Sequence, residues 1–250
     1  FGVLFFDLHF CTISNTMNDK QLPFNYHTTP FEQMWNKGFF HSKYEPNSEY
    51  RWVDTDTPEN AVNDDTWTYE FNEWGFRSAP FTERSDANIL ISGCSITVGI
   101  GVEYENTWGQ QLKRMFEQQL GKTVTVWNLA QGSCSPDYTV RSIHNTIELF
   151  KPDLVAVCWP ADTRFELPSD NPRTPEVIRD YQLGDTDYPK MFVRDGWGPA
   201  QHQKNIIFLK MLCEQHDTKL IHGPGDNTDI GINPDASARD GMHPGNKWHK

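Results

Sequence analysis

The stretch NILISGCSITVGIGV, residues 88–102, decides the fold of this chain of 250 residues. Its apolar run, NILIS, predicts a short buried strand, which ends in a turn of small residues where Cys94 and Ser95 stand side by side. Such a corner between a strand and a helix has two explanations. Either the side chain of Ser95 caps the helix that follows, or Cys94 or Ser95 takes part in a reaction at this turn.

Predicted strands and helices alternate downstream of this turn. Further strands are predicted at TVTVWN (123–128), DLVAVCW (153–159) and TKLIHG (218–223). Apolar residues at helical spacing predict a helix in each interval: Trp108, Leu112, Met115, Phe116 and Leu120; Val140, Ile143, Ile147 and Phe150; Ile206, Leu209 and Cys213. Because alternating strands and helices build parallel sheets covered on both faces, we predict an α/β fold, a flavodoxin-like three-layer sandwich with a central parallel sheet.

The domain prediction divides the chain near residue 87. Residues 1–87 are rich in aromatics and weak in periodicity, which predicts an irregular N-terminal extension that packs on the core, with short strands at EYRWVD and TWTYEF. Residues 88–250 form the predicted main α/β domain, with a polar, Pro-rich insertion at 160–199. The sequence stops at Lys250 where a further element begins, so we expect a truncated C-terminal helix.

Composition excludes several classes of function. The formal net charge is −12, from 22 basic and 34 acidic residues, whereas binders of nucleic acid or of anionic membranes need basic patches. No stretch approaches the ~20 apolar residues of a membrane-spanning helix. The five cysteines are widely spaced and form no CxxC pair, which favours free thiols in a reducing compartment. The first ten residues, FGVLFFDLHF, make a poor signal peptide, so a cytoplasmic location is favoured.

Polar loops follow the predicted strands. In parallel sheets of this kind, ligands bind at the carboxyl ends of the strands. Three such loops are Gly93–Ser95, Asn128–Ser135 and Trp159–Glu166, and a fourth holds Asp240 and His243 after the last predicted strand. We therefore expect the four loops to meet at one edge of the sheet.

Three residues in these loops fit nucleophilic catalysis. Serine is a weak nucleophile unless a base removes its proton, and that base is usually a histidine oriented by a carboxylate. The segment ARDGMHPG places Asp240 and His243 three residues apart, so that one loop can present both to Ser95. The remaining histidines show no metal-ligand spacing, and no lysine follows the glycines of the first stretch as a phosphate-binding loop requires.

Several motifs resemble those of one enzyme family. GCSITVGIGV (93–102) resembles the first block of the SGNH, or GDSL-type, hydrolases, whose serine lies in Gly-Asp-Ser. DGMHP (240–244) is similar to their last block, Asp-x-x-His-Pro. NLAQGSCSPD (128–137) is similar to the second block, and NEWGFRS (72–78) resembles a lead-in found before the serine in many members.

The resemblance implies an SGNH-like fold and a mechanism of ester cleavage. It implies that Ser95 attacks an ester carbonyl, that His243 acts first as base and then as acid, and that Asp240 orients His243. The oxyanion would be held by the backbone N–H of Ser95 and by the N–H of Gly132 or Ser133 in the second block. Preorganised donors of this kind contribute roughly 3–4 kcal/mol each in other enzymes.

The first two blocks depart from the family pattern at two positions. Cys94 replaces the usual aspartate before the serine, and we expect it to pack as a small buried thiol rather than to act as the nucleophile. Gly132 lies one place earlier than the family's glycine, with Ser133 at the expected position. Either N–H can serve, because a backbone donor does not depend on its side chain.

The third block departs further. In CWPADTRFE, Ala161 occupies the place of the asparagine whose side chain donates to the oxyanion in the family. Asp162 cannot donate when it is ionised. Arg164 either reaches the site instead or grips an acidic group of the substrate.

We predict an SGNH-type serine esterase, or acyl hydrolase, that cleaves a carboxylic ester of a small molecule or carbohydrate, with an O-acetyl group on a carbohydrate as one candidate. No metal or organic cofactor is implied. Ala161 and the shifted Gly132 favour an alternative, a catalytically weak or inactive module that binds ligands or serves a structural role. An O-acyltransferase with the same triad stays open, as do the oligomeric state and the identity of the acyl group.

Overall fold

The structure is a computed structural model that describes residues 47–51, 68–167, 176–178 and 196–224. Within those segments the strands are β1 Glu49–Arg51, β2 Thr68–Glu70, β3 Ala87–Gly93, β4 Val124–Asn128, β5 Leu154–Trp159, β6 Phe165–Leu167, β7 Glu176–Ile178 and β8 Lys219–Pro224. Four of them form a parallel sheet in the order β4-β3-β5-β8. The pairs β1–β2 and β6–β7 are antiparallel.

Helices connect the strands of the parallel sheet. They are α1 Ser95–Val98, α2 Trp108–Leu120, α3 Pro136–His144, α4 Ile147–Phe150 and α5 Trp197–Gln215, with a 3₁₀ turn at Tyr104–Asn106. Parallel strands need such crossovers, because each strand must return to the edge at which the previous one began. In the part of the chain that the structure describes, none of these helices has the length and apolar character needed to cross a membrane.

Apolar side chains cover both faces of the sheet. On one face, strand residues pack against α3, α4 and α5 in a core that includes Leu90, Trp127, Val140, Ile143, Ile147, Phe150, Val155, Leu209 and Cys213. On the other face they pack against α2 in a core made of Ile89, Ile91, Val124, Val126, Leu154, Ala156, Trp108, Leu112 and Phe116. The three-layer α/β prediction is therefore confirmed.

The second predicted helix is interrupted. The apolar series from Val140 to Phe150 predicts one continuous helix, and this prediction is wrong, because α3 ends at His144 and α4 begins at Ile147. The Thr146 hydroxyl donates to the Ser142 carbonyl oxygen at 2.8 Å, a local bond that competes with the helical pattern of the backbone.

The N-terminal extension contributes to the folded core. The short strands predicted in EYRWVD and TWTYEF are confirmed as β1 and β2. Phe76 and Phe81 are buried in the first core, and the ring of Phe81 lies 5.0 Å from that of Phe150. The described part of the extension therefore shares a core with the sheet, and the domain division itself stays a prediction.

The register of the sheet positions three polar loops. Gly93 at the end of β3 lies opposite Cys158 in β5, and Ile91 lies opposite Asn128 at the end of β4. The carboxyl ends of three adjacent strands therefore meet at one edge, and the loops that follow them lie side by side.

Candidate active site

Ser95 lies at the sharp turn between β3 and α1. It is partly exposed, whereas Gly93, Cys94 and the residues 96–99 are buried. The cap position of α1 is Cys94, and its side chain makes no capping hydrogen bond, so the explanation of Ser95 as a helix cap is wrong. Among the hydrogen bonds between described residues, the Ser95 hydroxyl makes one, a long contact of 3.9 Å with the sulfur of Cys94. Ser95 is therefore partly accessible, and among the described residues no short hydrogen bond holds its hydroxyl.

Gly93 allows the turn to form. Its φ of 157° is at the limit of the range that L residues avoid, and a Cβ at this position would overlap Thr97 Oγ1 and the carbonyl oxygen of Cys158. Glycine is therefore required for the close approach of α1 to β5. The same packing presents Ser95 at the edge of the sheet.

The loop after β4 is bonded to the nucleophile turn. Gly93 accepts two hydrogen bonds at its carbonyl oxygen, one from the Gln131 N–H at 3.3 Å and one from the Cys134 thiol at 3.1 Å. Between these donors lie Gly132 and Ser133, which are half-buried, and Ser133 adopts a left-handed φ of 63°. The segment that holds the predicted second oxyanion donor is thus fixed against the end of β3.

The loop after β5 joins the same group. Arg164 donates from Nη1 to the Cys134 carbonyl oxygen at 3.5 Å, and its backbone N–H donates to the carbonyl oxygen of Ala161 at 3.2 Å. Asp162 lies under the first turn of α5, where a Cβ on Gly198 would come within 2.7 Å of its carbonyl oxygen. Arg164 therefore reaches the loop that holds Gly132 and Ser133. The side chain of Ala161, at the position of the family's asparagine, has no hydrogen-bond donor.

Thiols form an apolar layer beneath the turn. Cys94 and Cys134 are buried and pack with Ile96 and Tyr138, with Cys158 partly buried against them. Burial raises the pKa of the Cys134 thiol well above its ordinary value, which keeps it protonated near neutral pH. The prediction that Cys94 packs as a small buried thiol is confirmed, since it is 5% exposed.

A buried ion pair anchors the segment after β5. Glu166 in β6 accepts hydrogen bonds from Arg141 Nη2 in α3 at 2.8 and 3.0 Å, and both side chains are less than a tenth exposed. Burial raises the pKa of Glu166, and the guanidinium opposes that shift. Sequence reasoning missed this pair, because nothing in the spacing of two residues 25 apart shows that they meet.

The structure brings together most of the predicted site residues. Ser95, the Gly132–Ser133 pair and the Asp162–Arg164 segment lie in three contacting loops at one edge of the sheet. Asp240 and His243 lie outside the described residues, so the triad stays a prediction.

Comparisons with known proteins yield likenesses among solved structures. No protein-family model and no curated protein matches the sequence. The structure is similar to TesA, with a TM-score of 0.44 and 14% identity over 65% of this chain and 91% of that one. It is also similar to the psychrotrophic esterase EstA from Pseudoalteromonas sp., with a TM-score of 0.37 and 16% identity over 66% of this chain and 91% of that one. A variant of Axe2, an acetyl xylan esterase from Geobacillus stearothermophilus, is similar with a TM-score of 0.35 and 15% identity over 66% of this chain and 90% of that one. Two of the three are described as esterases.

Proposed function

We propose that this chain is a serine esterase of the SGNH type. The observation that carries the proposal is the placement of Ser95, a partly exposed serine at the first position of α1, beside the loop of Gly132 and Ser133. The first backbone N–H groups of a helix have no intrahelical acceptor, so the Ser95 N–H is available to an oxyanion. The proposed nucleophile and the proposed oxyanion donors therefore belong to loops at the same edge of the sheet.

The proposed reaction proceeds in two steps. The His243 imidazole takes the proton of the Ser95 hydroxyl as Oγ attacks the ester carbonyl carbon, and Asp240 orients the imidazole. The resulting oxyanion accepts hydrogen bonds from the N–H of Ser95 and from that of Gly132 or Ser133. His243 then protonates the departing alcohol oxygen, which leaves an acyl group on Ser95. Water, deprotonated by His243, attacks the acyl carbon; the bond to Ser95 Oγ then breaks, His243 returns its proton to Oγ, and the carboxylic acid is released with the free enzyme restored.

The proposed substrate is a short acyl ester of a polar alcohol, with an O-acetylated carbohydrate as the first candidate. The partly buried polar side chains of Asp162 and Arg164 lie in the loop next to that of Gly132 and Ser133, and they offer hydrogen-bond partners for hydroxyl groups. Phosphate-backbone ligands fit poorly with the net charge of −12.

The experiment that tests this function is a hydrolysis assay with p-nitrophenyl acetate and with an acetylated oligosaccharide. Ser95→Ala and His243→Ala are expected to abolish turnover on both esters. Ser85→Ala is the matched control, because the Ser85 hydroxyl bonds the Thr125 hydroxyl at 2.7 Å near the opposite ends of the strands. An active Ser95→Ala variant would refute the proposal.

Ala161 favours a second candidate, a module that binds esters or carbohydrates and turns them over slowly or not at all. The side chain of Ala161 supplies no oxyanion donor. Saturable binding of the acetylated oligosaccharide, without hydrolysis by the wild-type chain, would support this candidate.

A further inference from the structure

Arg77 packs against the segment that follows the nucleophile turn. It is 3% exposed. Its Nη1 donates to the carbonyl oxygens of Val98 at 3.2 Å and Gly99 at 2.6 Å, and its Nη2 donates to that of Val102 at 3.0 Å. One guanidinium therefore satisfies three carbonyl groups of the segment that ends α1.

These carbonyl groups lie at or just after the end of α1, and that of Gly99 also accepts a hydrogen bond from the Val102 N–H at 3.3 Å. The last carbonyl groups of a helix have no intrahelical partner, and α1 has a single turn, so nearly all of its backbone is terminal. Arg77 thus completes the backbone hydrogen bonding that a longer helix would supply for itself.

Two tyrosine rings hold the guanidinium in place. Its carbon lies 4.3 Å from the ring centroid of Tyr69 and 5.7 Å from that of Tyr104. The Tyr69 hydroxyl also accepts a hydrogen bond of 2.8 Å from the Gly101 N–H. Tyr69 and Arg77 therefore grip residues 98–102 from the same side. We call these two residues the clasp.

The gripped segment is bonded directly to Ser95. The N–H groups of Gly99 and Ile100 each donate to the Ser95 carbonyl oxygen at 3.0 Å. Gly99 has a left-handed φ of 79°, and a Cβ there would lie 3.0 Å from Arg77 Nη1 and overlap Thr107. The contact between Arg77 and the segment is therefore close, and one peptide group separates it from the serine.

We propose that Arg77 is a positioning residue for the nucleophile. The clasp fixes residues 98–102, and these fix the peptide of Ser95, so that its hydroxyl and its N–H keep the orientation that ester attack requires. Arginine suits this role because its planar fork donates to several acceptors at once, whereas a lysine ammonium is a single point charge. The proposal rests on the esterase function proposed above.

Arg77→Lys tests the proposal, with Arg84→Lys as the matched control. Arg84 also donates to a carbonyl oxygen, that of Leu149 at 3.3 Å, and also packs over a ring, Trp127 at 5.1 Å, but it contacts no residue of the nucleophile turn among its described bonds. We expect Arg77→Lys to lower kcat on p-nitrophenyl acetate by ~10–100-fold with KM changed less than about threefold, because small misplacements of a reacting group have effects of that size. Arg84→Lys should keep both values.

Amide hydrogen exchange supplies a readout that does not depend on activity. In Arg77→Lys the amides of Gly99, Ile100 and Gly101 should exchange at least about tenfold faster, while the amides of β3 and β5 keep their protection. If the variant fails to fold, Tyr69→Phe removes one hydroxyl only, and the same acceleration at Gly101 together with a lower kcat supports the clasp.

Three outcomes would overturn the positioning role: unchanged kcat in Arg77→Lys, a loss matched by Arg84→Lys, or faster exchange spread evenly over the sheet. If the wild type has no esterase activity but exchange accelerates in 99–101 alone, the proposed function fails and the clasp itself stands.

Discussion

The side-chain amide of Asn128 donates a hydrogen bond of 2.8 Å to the carbonyl oxygen of Thr97. Its amide oxygen accepts from the Ala130 N–H at 2.9 Å. One buried residue at the end of β4 thus joins α1, which presents Ser95, to the loop that leads to Gly132 and Ser133. The relative position of the two proposed oxyanion donors depends on this bridge.

Asn128→Asp should therefore lower both stability and turnover. The carboxylate has nearly the same shape but offers no donor to Thr97, and it would be buried beside a carbonyl oxygen. We expect the free energy of unfolding to fall by about 1–3 kcal/mol, the cost of an unsatisfied buried group, as measured by urea denaturation. Asn106→Asp is the control, because the side-chain amide of Asn106 donates to Glu103 in an exposed hydrogen bond. This variant should change the free energy of unfolding by less than about 0.5 kcal/mol. Equal stabilities of the two variants would contradict the bridge.

Cys94→Ala should retain most of the activity on a short ester. Cys94 is buried in an apolar cluster and its thiol has no role in the proposed reaction. We expect kcat/KM within about fivefold of the wild type and a modest loss of thermal stability, because only one buried atom is removed. If Cys94→Ala loses as much activity as Ser95→Ala, the nucleophile has been assigned to the wrong neighbour.

Arg164→Ala should reduce turnover more than any change at Ala161. Arg164 Nη1 lies 3.5 Å from the carbonyl oxygen of Cys134, on the loop that holds the proposed second oxyanion donor. Removal of Arg164 should displace that donor, and since loss of one oxyanion donor costs ~10²–10³ in kcat in other enzymes, we expect a decrease of at least about tenfold in steady-state kinetics. Ala161→Asn should change kcat by less than about threefold. If Ala161→Asn raises kcat strongly and Arg164→Ala leaves kcat unchanged, then Arg164 does not replace the family's asparagine, and this prediction is wrong.

The Arg141–Glu166 pair predicts a dependence of stability on pH. Burial raises the pKa of Glu166 above its ordinary 4.5, so in the window just above that value the folded chain binds more protons than the unfolded chain. The free energy of unfolding should then fall as pH rises through this window, since the slope follows the difference in bound protons. Glu166→Gln should lack this part of the pH dependence, because glutamine does not titrate.

Urea titrations of the wild type and of Glu166→Gln between pH 4 and 7 measure that contribution as a difference. The wild-type value minus the variant value should decline as pH rises. A difference that grows with pH would mean that the bond to Arg141 outweighs burial.

Sequence reasoning was sufficient where the pattern is local. The apolar runs that end at Gly93, Asn128 and Trp159 predict the strands and the edge at which their loops meet, since the carboxyl ends of parallel strands share one edge. The period of apolar residues likewise predicts α2 and α5. The break between α3 and α4 was not predictable from that period, because the Thr146 hydroxyl bond that accompanies it leaves the apolar spacing unchanged.

Contacts between residues far apart in the chain could not be predicted from the sequence. Arg77 lies in NEWGFRS, a stretch whose resemblance to a lead-in gives no indication that the guanidinium meets Val98, Gly99 and Val102. An arginine among aromatic residues is a weak sign of burial, and burial alone does not name its partners. The same holds for Asn128, because its position at the end of a strand does not indicate that its side-chain amide bonds to α1.

The most direct test of the central claim, that Ser95 is an activated nucleophile, is labelling by a fluorophosphonate probe followed by peptide mapping. We expect stoichiometric modification of the wild-type chain at Ser95, no modification of Ser95→Ala, and labelling of Ser85→Ala at the wild-type level. A wild-type chain that hydrolyses esters but carries the label on another residue, or that never reacts with the probe, would contradict it.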